Sequence, residues 1–378
     1  MEQIVFWQRN LSIHQSALIR ALSGSASYDV TLITQDELPS RRKEMGWSAP
    51  DLGTANLIRA SEESNLDSLI STFSTDRATH IFSGIHAYPM IYQAFRRVAR
   101  TDSTLGILSE AGTLYGARSH LSLLRNRFNA IRFRNRIAFV LAIGRLGVDW
   151  YIRSGFPASK VFEFAYFLDE GFAGHRMVCA DHPFTFVFVG RLYPLKGVDL
   201  LLQALKGLED RDWRLQVVGD GPETAGYRRL AERYFPAERV SWLGFLPNDE
   251  VRQVLRDADA LVLPSRGDGW GAVISEALLA GTRVVCSDRC GAAVLVDDPR
   301  RGCVVQADSV ESLRDGLGRT LDKGRISAEE RRAIAGWASR ITGTAGATYL
   351  DTILRSVGGN GQRPTPPWGN GPGGDSRK

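Results

Sequence analysis

The run Phe184–Val189, FTFVFV, constrains this chain more than any other stretch. Six apolar or β-branched residues in a row leave no face for water, the pattern of a strand buried on both sides of a parallel sheet. Gly190 follows at once, and a helical pattern begins at residue 198. The rhythm then repeats, with strands over 214–218, 240–243, 260–263 and 283–287 and helices over 198–208, 223–234, 249–257 and 271–280. Five strands with intervening helices make one doubly wound α/β domain.

The first half shows the same alternation. Strands are expected over 4–7, 29–34, 79–83 and 105–108, a polar loop over 8–14, and helices over 15–22 and 88–100. Periodicity lapses over 168–183, which places a hinge there. A chain of 378 residues accommodates two such domains. The expected division is 1–168, then 169–338, then a helix over 339–357 packing back toward the first domain. Residues 358–378, rich in Gly and Pro and nearly free of large aliphatics, read as a disordered tail.

Composition narrows the address. No apolar run reaches the roughly 20 residues that span a bilayer, and MEQIVFWQRN lacks the charged and apolar regions of a signal peptide. A cytoplasmic location is expected. Cys179, Cys286, Cys290 and Cys303 form no C-x-x-C pair and lie beside no histidine at zinc-ligand spacing, so they read as reduced thiols and no metal is expected. The net charge of +5 is modest for this length, so its distribution matters more than its sum.

Three segments at strand-to-helix junctions carry chemistry, where ligands of open parallel sheets bind. In 190–197, GRLYPLKG, Gly190 permits a close backbone approach, and Arg191 and Lys196 project two cations. A guanidinium fork and a mobile ammonium together suit a diphosphate, and equally a solvated surface loop. In 217–222, VVGDGP, Gly219 and Gly221 let backbone approach a base or phosphate, or form a plain turn. In 264–276, PSRGDGWGAVISE, Ser265, Gly269, Trp270, Gly271 and Ala272 form the approach to a helix whose first N–H groups favour anions. Asp268 stands before that helix, where it caps or binds. Glu276 falls eight positions on, amid Ile274, Ala277 and Leu278. A buried carboxylate there needs a partner, and a ribose diol offers two donors to one carboxylate.

As a set, residues 184–300 resemble the donor domain of the family 4 retaining glycosyltransferases, in the order G-R-x4-K-G, V-G-D-G-P and P-S-x-x-acid-G-x-G ending in a second acid. Residues 243–247, LGFLP, and 258–265, ADALVLPS, match in order and spacing. The resemblance implies a GT-B fold, two Rossmann-like domains facing each other across a cleft. It implies metal-independent, retaining transfer of a hexose from a UDP-, GDP- or dTDP-sugar to a glycan or polyprenyl-linked acceptor. In that reading Arg191 and Lys196 neutralise the diphosphate. Glu276 holds the ribose and Asp268 a hexose hydroxyl, while Gly271 and Ala272 offer N–H groups. The chain departs from the family at Asp268, one methylene shorter than the usual Glu, and in lacking the glycine-rich loop after its first strand. It also lacks the family's histidine after a mid-domain strand: Ser109 and Glu110 stand there, with His86 in the neighbouring loop. His86 and Glu110 are the acceptor-side candidates.

From 111 to 148 the chain carries no acidic residue. On a helix over 118–136, Leu121, Leu124, Phe128 and Ile131 share one face. Arg118, Arg125, Arg132 and Arg136 flank it on one side, and Arg127 and Arg134 on the other. That pattern suits the headgroups of an anionic membrane, with Arg125, Arg127, Arg132 and Arg134 as contacts, and hence a peripheral place on the inner face of the cytoplasmic membrane. It equally suits a core-facing helix with a solvated basic side. Nucleic acid is disfavoured, since only Phe128, Phe133 and Phe139 interleave the arginines and no recognition motif surrounds them. The setting implied is cell-envelope polysaccharide or lipopolysaccharide assembly. The alternatives are another GT-B nucleotide-sugar enzyme, such as an epimerase, and a catalytically idle sugar-nucleotide-binding subunit.

Overall fold

A computed structural model describes residues 1–36, 49–60, 66–75, 77–86, 88–112, 119–170, 183–359 and 361–369. The chain divides into two compact units, Met1–Asp169 with Arg340–Lys378, and Glu170–Ser339. Most of the segment expected to be a hinge, 171–182, lies outside the described residues, as do Cys179 and Arg118.

The first unit is a seven-stranded sheet, β1 (Glu2–Gln8), β2 (Tyr28–Thr34), β3 (Asn56–Arg59), β4 (Ala78–Phe82), β5 (Thr104–Ser109), β6 (Phe139–Ile143) and β7 (Val161–Phe164). Its order is β3-β2-β1-β4-β5-β6-β7, every pair parallel. The helices of this part are α1 (Ile13–Ser23), α2 (Leu66–Phe73), α3 (Pro89–Val98), α4 (Ser119–Phe133) and α5 (Gly144–Arg153). The polar loop expected over 8–14 is shorter, because α1 begins at Ile13.

Trp7 and His80, on neighbouring strands, anchor the core without leaving a polar atom unsatisfied. The Trp7 indole donates to His80 Nδ1 at 3.0 Å, and His80 Nε2 lies 3.1 Å from the Phe73 carbonyl. This fixes a neutral imidazole that accepts at Nδ1 and donates at Nε2. Burial, the largest cause, lowers its pKa to about 4 against the Phe73 bond. The unfolded chain therefore binds a proton that the folded chain refuses. Stability from this site is complete above the ordinary histidine pKa and falls as pH drops from about 6.5 toward 4, by about 3 kcal/mol in all. Urea midpoints measured across that window should fall with pH in the natural chain and less steeply in His80→Gln.

The second unit is a six-stranded parallel sheet, β8 (Phe184–Val189), β9 (Trp213–Val218), β10 (Val240–Gly244), β11 (Ala260–Leu263), β12 (Arg283–Ser287) and β13 (Gly302–Val305), in the order β10-β9-β8-β11-β12-β13. The first five of β8, FTFVF, are buried. The sequence pattern predicts five strands. The sixth, β13, is a four-residue edge strand with Val304 39% exposed, too short and too half-wet to stand out as a buried run. The helices are α6 (Val198–Lys206), α7 (Thr224–Tyr234), α8 (Asn248–Asp257), α9 (Ala272–Leu279), α10 (Val310–Asp322) and α11 (Ala328–Ala338). Cys286 and Cys290 are buried free thiols, and Cys303 is a partly buried one.

The chain returns to the first unit with α12 (Gly343–Val357), which lies against α1. The approach depends on Gly343, whose added Cβ would sit 2.3 Å from the Ala17 carbonyl oxygen. The expected disorder of the tail does not hold for residues 361–369. Arg363 donates to the carbonyls of Ser159 (2.6 Å) and Val161 and lies over the Phe162 ring. Trp368, 3% exposed, donates to Glu163 Oε1 at 3.1 Å and packs by Phe167 and Tyr349. One buried indole and one capping guanidinium offset the ordering cost of a segment whose prolines are already stiff. Composition averages conceal both.

Candidate donor site

The strand order of the second unit reverses between β8 and β11, so the crevice at their carboxyl ends is the expected ligand position. The segment 190–197 follows β8 and the segment 264–271 follows β11, and they are joined directly, Arg266 N–H donating to the Leu195 carbonyl at 2.7 Å. The segment after β9 closes a third side, with Leu192 N–H bonded to the Asp220 carbonyl at 3.0 Å.

Lys196 and Asp268 meet there as a hydrogen-bonded ion pair. Burial works to lower the Lys196 ammonium, and the Asp268 carboxylate outweighs it, so the pKa is raised and the lysine stays charged. Asp268 is held by its own backbone: its N–H donates to the Arg289 carbonyl at 2.9 Å and its carbonyl accepts from Gly291 N–H at 3.0 Å. It does not cap α9 through its side chain. Arg191 is exposed, its guanidinium 5.9 Å from the centre of the Tyr193 ring.

Gly271, at φ +83°, is the N-cap of α9, and Ala272 opens the helix. Glu276 lies one turn further in, half-buried. Desolvation pushes its pKa up to about 7, against the opposing field of Arg252 on α8. Arg252 was not singled out from the sequence; its place 24 positions away on another helix gave no signal.

Of four residues assigned to ligand contact, Trp270, Gly219 and Gly221 have structural partners, whereas the Ser265 hydroxyl has none among the described residues. Trp270 is 1% exposed and donates to Ser275 Oγ at 3.1 Å, so its side chain is core. Ser265 is fully buried, its carbonyl accepting from Ser287 Oγ while its own hydroxyl has no hydrogen-bond partner among the described residues. Gly219 and Gly221 are where backbones cross: an added Cβ would meet the Gly190 oxygen at 2.0 Å or the Leu192 oxygen at 2.2 Å. The glycines in 217–222 therefore bring two loops together. The carbonyl of Gly269 lies where an added Cβ on Gly291 would reach it, at 2.1 Å, which packs that loop equally tightly.

In the first unit the acceptor-side candidates have separate partners. His86 Nε2 lies 2.8 Å from Asn129 Oδ1, and its ring packs on Tyr92. Burial holds its pKa below the usual range against the Asn129 bond, with Arg125 and Arg132 adding to the lowering. Glu110 accepts from Tyr166 Oη at 2.8 Å, and Tyr166 stacks on His14. His14, in the first turn of α1, and Tyr166, in the loop after β7, are distant in sequence and share no motif. On α4, Asn129, Ala130 and Phe133 face inward, while Leu121, Leu124, Phe128 and Ile131 are 62–68% exposed. Arg125, Arg127, Arg132 and Arg134 are exposed too. Arg136 is not among the flanking charges: it donates to the carbonyls of Ala99, Thr101 and Ser103. Among the described residues, no helix is long and apolar enough to cross a membrane, and no group of three His, Cys, Asp or Glu is placed to hold a metal.

Two all-parallel Rossmann-like units, with a cation–acid pair at the switch point of the second, define the GT-B class of fold. The comparisons agree. Residues 179–336 match the family described as glycosyl transferases group 1. A D-inositol 3-phosphate glycosyltransferase of Nocardia farcinica is 35% identical over 159 residues, 39% of this chain and 35% of the relative. The chain thus matches only about a third of that relative's length. Two solved structures share the fold across 94% of this chain, both at 16% identity. Anabaena HepE in complex with UDP gives a TM-score of 0.72 with 100% of its chain covered. The lipopolysaccharide outer core galactosyltransferase WaaB in its apo form gives 0.70 with 99% covered.

Proposed function

We propose that this protein is a retaining glycosyltransferase that moves a hexose from a nucleotide sugar to a glycan or lipid-linked acceptor. The observation that carries the reading is the Lys196–Asp268 pair at the β8/β11 switch point, with Asp268 four residues before the start of α9 and Glu276 one turn inside that helix. A donor diphosphate entering there meets Lys196 and Arg191, which offset the charge that grows on the leaving group. Asp268, released from Lys196, accepts a hydroxyl of the hexose. Glu276 takes the ribose diol. Two fixed cations supply what a divalent ion otherwise would, so the reaction is proposed to need no metal. The UDP bound by HepE makes UDP-sugars the first donors to test.

The acceptor is proposed to be presented at an anionic membrane in cell-envelope polysaccharide or lipopolysaccharide assembly, the setting that WaaB's name carries. In support, four large apolar side chains stand exposed on one helix between four exposed arginines. Each arginine near an anionic surface contributes about 1 kcal/mol. Reversing Arg125, Arg127, Arg132 and Arg134 to Glu should lower co-sedimentation with phosphatidylglycerol vesicles by about a hundredfold or more. Undiminished binding would remove the membrane from the account.

The enzymatic reading is tested by incubating the chain with UDP-, GDP- and dTDP-sugars, with and without acceptor extracts, with and without EDTA. The expected result is acceptor-dependent sugar transfer, with retained anomeric configuration and no effect of chelation. Acceptor-independent inversion at a sugar carbon would make it an epimerase, and binding without turnover an idle subunit.

A further inference from the structure

Arg266, like Asp268, sends its side chain back from the 264–271 segment to the segment after β8. Its guanidinium donates to both carboxylate oxygens of Asp199, at 2.9 and 2.6 Å, and to the Pro194 carbonyl at 2.5 Å. Its Nε lies 2.7 Å from Asp308 Oδ1. The other Asp308 oxygen accepts from Arg289 at 2.9 Å, and the Arg289 carbonyl in turn receives the Asp268 N–H at 2.9 Å. Asp308 holds φ +58°, the only non-glycine among the described residues at positive φ, a conformation that costs about 1 kcal/mol. Two arginines hold it there.

The chain of contacts therefore runs from the Lys196 segment, through Pro194, Asp199, Arg266, Asp308 and Arg289, to the backbone of Asp268. Each end of the Lys196–Asp268 pair is tied to the same network. Asp199 sits in the first turn of α6, so the network also fixes the helix that follows Lys196. A guanidinium's five donors serve these four acceptor oxygens at once, whereas an ammonium has only three.

We propose that Arg266 is a positioning residue, fixing Lys196 and Asp268 in the geometry that receives the donor diphosphate. The proposal rests on the nucleotide-sugar reading of this crevice. Arg266 acts on the diphosphate end of the site, whereas Glu276, which takes the ribose, stands on α9 outside the network. Loss of Arg266 therefore weakens a nucleoside diphosphate selectively over its nucleoside.

The test is calorimetric binding of UDP, GDP and dTDP, each beside its nucleoside, to the full chain and to Arg266→Ala, Arg266→Lys and Asp199→Asn. For the nucleotide that binds, Arg266→Ala should weaken the diphosphate about tenfold or more and leave the nucleoside within about twofold, because misplacing a charged hydrogen bond costs the groups it serves. Arg266→Lys should recover only part of the loss. Asp199→Asn, near-isosteric and tolerant of the fold, should show the same selectivity more weakly. Equal weakening of diphosphate and nucleoside, or no change in either, overturns the positioning role. No binding of any of the three to the natural chain overturns the donor reading, and the proposal with it; the natural chain's own titration tells the two failures apart.

Discussion

Replacing Lys196 with alanine is expected to reduce turnover by about a thousandfold while leaving the protein folded. An ammonium held against a developing diphosphate charge in a water-poor crevice contributes on the order of 3–4 kcal/mol to the transition state. The same change leaves Asp268 half-buried without its cation, so part of the loss is ground-state disorder of the acid. Lys196→Arg separates the two: it restores the charge and the pairing but not the compact point contact. Circular dichroism and a thermal melt should match the natural chain for both variants. Single-turnover rates with a saturating nucleotide sugar should fall in the order natural chain, arginine variant, alanine variant.

The second large effect is on pH. Glu276, raised to about 7 chiefly by desolvation, carries a proton over part of the physiological range in the empty site. A ribose diol donates two hydrogen bonds, which favour the carboxylate and lower its pKa on binding. The sign follows: donor affinity is full above pH 7 and falls as pH drops through it, by about tenfold between pH 8 and 6. A nucleotide sugar has no ionisation of its own in that window, since its diphosphate is esterified at both ends. The profile is therefore a property of the protein. Glu276→Gln should bind more weakly at pH 8 and lose the slope. A slope that persists in the variant would assign it to another group.

The donor unit was legible in the sequence because its signals are local. FTFVFV declares a doubly buried strand, and each candidate segment directly follows such a strand, so Arg191, Lys196, Asp268 and Glu276 stand out by position, while their roles come only from the resemblance of 184–300 to family 4 donor domains. What stayed hidden depends on folding over long separations. Arg266 lies two residues from Asp268 and carries no mark in its own segment; its partners Asp199 and Pro194 reach it only once β8 and β11 are neighbours. Trp270 and Ser265 sit in the motif, yet both side chains are buried, Trp270 against Ser275 Oγ. Sequence gives their order but not their direction. In the first unit Tyr166 and Glu110 are 56 positions apart, and His86 meets Asn129 across 43, so no window contains either pair. The tail erred the other way. Averaged composition predicts disorder, while a single tryptophan and a single arginine dock it.

The central claim is that the β8/β11 switch point of the second unit receives a nucleotide sugar. The most direct measurement is the thermal midpoint of the full chain against a panel of UDP-, GDP- and dTDP-sugars, repeated with Lys196→Ala and Glu276→Gln. A ligand at a hundred times its Kd stabilises the native state by about 2.7 kcal/mol. The account predicts a clear upward shift with one nucleotide class, diminished in both variants. No shift with any member of the panel, or an equal shift in the natural chain and both variants, would contradict it.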